Sequence, residues 1–79
     1  MNELEEARQQ INDIDQKMAE LFVSRMQCAK KVADYKRTNG MQVFDAKREQ
    51  QILDNAEKRV ESPILRSYYV EFMATILDE

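Results

Sequence analysis

Histidine and tryptophan are absent, and cysteine, glycine and proline occur once each in 79 residues. Without histidine, a Ser-His-Asp or Cys-His catalytic group cannot be assembled within one chain. A single Cys28 with no histidine excludes a zinc site of the usual Cys/His type, so no metal ligands are expected. Cys28 has no intrachain disulfide partner and suits a reducing, cytoplasmic environment. One glycine and one proline are too few for a β architecture, which needs a turn signal about every ten residues. No apolar run approaches the roughly 18 residues of a membrane span. The N-terminus, Met1-Asn2-Glu3-Leu4-Glu5-Glu6, is acidic where a signal peptide is basic. A net charge of −3 argues against non-specific nucleic-acid binding.

What is present is apolar and charged material in the proportions of long amphipathic helices, 43% and 34%. The chain reads as a single all-α domain, residues 1–79, with one long helix and two shorter ones. The first helix runs from about Asn2 to Arg37. Its apolar positions, Leu4, Ala7, Ile11, Ile14, Met18, Leu21, Cys28, Val32 and Tyr35, form a 3-4 seam of the coiled-coil type. Thr38, Asn39 and Gly40 end it, Gly40 being suited to a left-handed C′ position. After a loop from Met41 to Phe44, Asp45 is the natural N-cap of a second helix with Ile52, Leu53, Ala56 and Val60 on one face. Ser62 and Pro63 then supply the N-cap and first residue of a third helix. Its stripe is Ile64/Leu65, Tyr68/Tyr69, Phe72/Met73 and Ile76/Leu77.

A helix of roughly 36 residues is about 54 Å long, and the other two are each under half of that. They cannot cover its whole seam, so the remainder must meet another chain. The simplest solution is a two-fold dimer with antiparallel long helices.

Charge is distributed in blocks. Residues 1–24 carry net −4, residues 25–48 net +5 and residues 49–79 net −4. A cationic middle in an acidic protein attracts a small anion and repels polyanions, although a solvated helix face would read the same way. Arg25 is the sharpest anomaly, because it occupies the seam between Leu21 and Cys28 where an apolar residue is expected. A buried guanidinium needs an anion, either an acidic side chain that sets register or a ligand. Lys36 lies about 16 Å further along the axis and about 20° around it, with Ala29 and Val32 between. Two cations with an apolar floor between them fit a small dianion. Arg48 and Glu49 share the first turn of the second helix. Arg48 opposes the helix dipole there, whereas Glu49 also reads as an ordinary first-turn acid. Arg8 is about 25 Å from Arg25 along a straight helix and cannot join it at one ligand within one chain. In an antiparallel dimer the partner's Arg8 can.

Taken together, Arg8-x2-Ile11-x2-Ile14-Asp15, Arg25, Lys36 and Asp45-x2-Arg48-Glu49 resemble the all-helical class of chorismate mutase. The spacing matches without insertion from Arg8 to Glu49, and the resemblance extends more loosely over the third helix. It implies an intertwined homodimer of three-helix protomers with two sites buried among the helices. It implies conversion of chorismate to prephenate, the step leading to phenylalanine and tyrosine, without a metal or cofactor. By resemblance, Arg25 and the partner's Arg8 bind the two substrate carboxylates. Lys36 contacts a carboxylate and the ether oxygen of the breaking bond, and Arg48 supports the carboxylate end. Glu49, with the Asp45 region, holds the ring hydroxyl, and Val32 and Ile52 form apolar walls. Lys36, Arg25 and Glu49 are thus the expected catalytic residues.

The family usually extends its third helix to a Ser and, four residues later, a Gln or Glu that faces the ether oxygen opposite the lysine. This sequence ends at Ile76-Leu77-Asp78-Glu79, with an uncapped apolar stripe and two acids at the negative end of the dipole. That pattern reads as a helix cut in mid-course, as in a shortened enzyme, a natural short variant or a domain separated from a fused catalytic partner. Two alternatives stand beside the mutase. One is an isochorismate pyruvate lyase, which shares the fold and a similar cationic site, although Asp45-x2-Arg48-Glu49 favours the mutase. The other is a non-catalytic helical dimerisation or ligand-binding regulatory domain. Cys28 and the five methionines read as core filler, and Tyr68 and Tyr69 as packing residues.

Overall fold

A computed structural model describes residues 2–77 of the chain. Among them are three α-helices and no strand: α1 (Glu3–Thr38), α2 (Ala46–Arg59) and α3 (Pro63–Leu77). The all-α reading and the three boundaries agree with the sequence to within a residue or two. The expectation of two acids at the helix end falls on Asp78 and Glu79, which lie outside the described residues. The chain divides into two compact units, Met1–Val43 and Phe44–Glu79.

The first unit is built on α1, whose ends follow from local chemistry. Asn2 is the N-cap, its Oδ1 accepting from Glu5 N at 2.8 Å, and Glu3, Glu5 and Glu6 place negative charge at the positive end of the dipole. Lys36 and Arg37 occupy the opposite end. There the helix closes in a Schellman motif, with Gly40 N bonded to Arg37 O at 3.3 Å and Met41 N to Lys36 O at 2.7 Å. Gly40 adopts φ 65°, a left-handed value that glycine reaches without a Cβ penalty. Polar pairs one turn apart run along the outside: Gln9 to Asp13, Gln16 to Glu20 and Lys30 to Asp34. No described residue of α1 is fully buried. Its seam stands open, with Leu4, Ile11, Ile14, Met18, Leu21 and Val32 all exposed.

The second unit is a helical hairpin. Asp45 caps α2, its Oδ1 accepting from Arg48 N at 3.0 Å. Ser62 Oγ accepts from Leu65 N at 3.4 Å, and Pro63 opens α3 where its missing N–H costs nothing. The intervening turn has no glycine. Arg66 closes it instead, Nε donating to Val60 O and a terminal nitrogen to Glu61 O, each at 2.8 Å. A cation thus satisfies carbonyls at the negative end of α2. Ala56 and Met73 are the buried residues between the two helices, at 0% and 7% exposure. The small Ala56 lets the backbones approach, and burial of Met73 is worth about 1.5–3 kcal/mol. Tyr69 and Phe72 stack with ring centroids 6.3 Å apart.

Several expectations are corrected here. Val60 is the C-cap of α2, not a residue of its helical face. Only one edge of the α3 stripe is covered: Tyr69, Met73, Ile76 and Leu77 are buried or half-buried, while Ile64, Leu65, Tyr68 and Phe72 are exposed. Two apolar residues per turn make the stripe wider than α2 alone can shield. Of the presumed core fillers, Met73 is buried and Met26 half-buried, but Cys28, Met18 and Met41 lie exposed on the chain. Met1 lies outside the described residues.

Candidate functional site

The candidate residues fall into two groups, one on each unit. On α1, Arg25, Val32 and Lys36 share a face by helical geometry, Val32 and Lys36 each lying about 20° from Arg25 around the axis. Among the described residues of α1, only Arg25, Met26, Ala33 and Lys36 are half-buried; all others are exposed. Two of these four are the cations singled out by the sequence. Val32, the expected apolar wall, is exposed on the chain.

The two cations are held differently. Among the described residues Arg25 has no hydrogen-bond or ion-pair partner. Among the described residues no acidic side chain pairs with it. Lys36 Nζ donates to the Val43 carbonyl at 3.2 Å, so the segment after the Schellman turn folds back onto the ammonium. Arg8 is exposed, about 25 Å along α1 from Arg25. The structure does not bring these two arginines together within one chain.

The second group lies in the first two turns of α2. Glu49 and Ile52 are half-buried on the face that also carries Leu53 and Ala56. Glu49 has no side-chain partner among the described residues. Arg48 is exposed and bonds to Gln51 Oε1 at 2.6 Å. Asp45 is committed through its carboxylate to the helix cap. A shallow, open depression on this helix is lined by Asp45, Lys47, Arg48 and Gln51, and includes neither Glu49 nor Ile52.

On α1, Lys30 lies 2.9 Å from Asp34, and this hydrogen-bonded ammonium, with a weaker contribution from Arg37, holds the Asp34 carboxyl below its ordinary range. Among the described residues no three His, Cys, Asp or Glu side chains converge as a metal site requires. No described helix is long and apolar enough to cross a membrane. Sequence reasoning did not single out Met26 and Ala33 as neighbours of this site, since they lie about 100° and 80° around the axis from Arg25, nor the Val43 carbonyl, for which no side-chain signal exists.

Residues 7–79 match the family model of chorismate mutase type II. No curated protein and no solved structure matches the chain.

Proposed function

The chain belongs to the chorismate mutase type II family, and from that premise we propose that it rearranges chorismate to prephenate. The observation that supports this reading is Arg25: a half-buried arginine without a partner among the described residues, on the same face as the half-buried Lys36. A cation left so is poised for an anionic ligand, and the substrate is a dianion.

The reaction is an intramolecular rearrangement in which an ether C–O bond breaks as a C–C bond forms. No nucleophile or proton transfer is needed, so a chain without histidine is equipped for it. What it requires is a cage that holds the compact conformer and places positive charge where the ether oxygen becomes negative. In our reading the guanidinium fork of Arg25 takes one carboxylate and the partner's Arg8 the other. Lys36 meets the ether oxygen as a point charge. Arg48 supports the carboxylate end, Glu49 accepts from the ring hydroxyl near Asp45, and Val32 and Ile52 flank the ring. Completion by the partner's Arg8 makes the functional species a homodimer in which both units act as one domain. The exposed seam of α1 supplies the apolar surface for it. Cytoplasmic residence in aromatic amino acid biosynthesis completes the proposal, consistent with the lone Cys28.

The test is chorismate consumption by the purified chain, with the product identified. Prephenate is the expected product. Pyruvate release from isochorismate in its place would reassign the chain to the lyase class, and tight chorismate binding without conversion would make it a binding domain.

A further inference from the structure

Lys36 is tied at both ends to the segment that follows α1. Its main-chain oxygen accepts from Met41 N at 2.7 Å, and its Nζ donates to Val43 O at 3.2 Å. Both contacts require the chain to reverse immediately after the helix, which Gly40 accomplishes at φ 65°. A Cβ at Gly40 would meet no atom within 4 Å, so glycine is required there for its backbone conformation and not for space. The lysine side chain is a point charge on a flexible four-carbon stem. A backbone acceptor that fixes its head before a ligand arrives removes part of the ordering cost at the moment of reaction.

We propose that Gly40–Val43 positions Lys36: the left-handed turn at Gly40 delivers the Val43 carbonyl to the ammonium and aims it for the substrate. Among the described residues Arg25 has no such tether, so the two cations divide the work, one capturing and one aimed. This inference deepens the chorismate mutase reading and rests on Lys36 as the ether-oxygen contact.

The experiment compares Gly40→Asn, which tolerates the left-handed conformation, with Gly40→Val, which does not. The readouts are kcat and KM per folded chain, and the NMR through-hydrogen-bond coupling between Lys36 Nζ and the Val43 carbonyl carbon. Gly40→Asn is expected to keep both the coupling and kcat. Gly40→Val is expected to lose the coupling and about tenfold or more in kcat, with a smaller change in KM. A folded Gly40→Val chain with unchanged kcat, or no coupling in the unmodified chain, overturns the proposal. If Gly40→Val does not fold, an amide-to-ester replacement between Val43 and Phe44 weakens the same acceptor without altering any side chain, and the same two readouts decide. Absence of turnover in the unmodified chain would remove the mutase reading and with it the aim at that substrate, whereas the coupling and its loss in Gly40→Val report on the tether independently.

Discussion

The two units solve the problem of a small core in opposite ways. The hairpin of α2 and α3 buries Ala56 and Met73 between its own helices and locks its turn with Arg66. Among its described residues the α1 unit buries none completely; it has sound ends, a polar outer face and an apolar seam left open to solvent, Leu21 being 68% exposed. A helix of 36 residues with such a seam is not sustained by propensity alone. The difference teaches that the hairpin buries apolar residues between its own helices, whereas the seam of α1 depends on what covers it, which in our proposal is a second copy.

The largest effect should come from breaking that completion. Ile14→Glu places an unpaired carboxylate in the seam of each protomer, at about 3–5 kcal/mol per buried charge. Sedimentation should then show a monomer, and circular dichroism should show lost helix. A stable, fully helical monomer would mean that α1 stands by itself, and the contrast between the units would collapse.

Arg25 sharpens the comparison from within the seam. Arg25→Leu restores the apolar pattern, so stability should be unchanged or raised by about 1–4 kcal/mol. Turnover should nevertheless fall by about 3–4 kcal/mol of transition-state stabilisation, or roughly 10²–10³ in kcat, by analogy with a lost oxyanion donor. Lys36→Ala should lose activity on a similar scale without the stability gain. An Arg25→Leu chain that is less stable yet active would make Arg25 a structural residue.

These residues also show what a sequence makes legible. Helix ends are written within one turn of the chain: Asp45 three residues before Arg48 N, Ser62 before Pro63 and Gly40 after Asn39 each act on near neighbours. Arg25 was visible because a charge at a heptad position breaks a local pattern. Burial is a property of what covers a face, and periodicity alone cannot assign it. The α3 stripe therefore did not reveal that Tyr69 would be sheltered and Tyr68 exposed, nor did the seam reveal that Cys28 would be exposed on the chain. The Arg66 closure spans a turn to carbonyls five and six residues back, and main-chain acceptors leave no trace in residue identity.

The hairpin should respond to core and clamp separately. Met73→Ala should destabilise it by about 2–3 kcal/mol through lost burial and an unfilled cavity. Arg66→Met, which keeps the apolar stem but removes the donors to Val60 O and Glu61 O, should cost about 1.5 kcal/mol. Urea titrations of each variant measure both. A larger loss for Arg66→Met than for Met73→Ala would show that the turn, and not the buried methionine, holds the two helices together.

The smallest effect belongs to the surface of α1. Lys30 and Asp34 are both exposed, so their pair is screened by water and salt. The Asp34 carboxyl is held below its ordinary value of 3.8 chiefly by its hydrogen bond to Lys30. A depressed pKa in the folded state means that the stabilisation is present above the unfolded value and is lost as pH falls through the folded one. Asp34→Asn should therefore lower the melting temperature slightly near neutrality in dilute buffer. The difference from the unmodified chain should close as pH falls below about 4 and when salt approaches about 1 M. Met73→Ala should show neither dependence, because apolar burial does not titrate. An Asp34→Asn deficit that persists in acid and high salt would mean that the residue acts through packing or helix propensity, and that its pair with Lys30 contributes nothing measurable to α1.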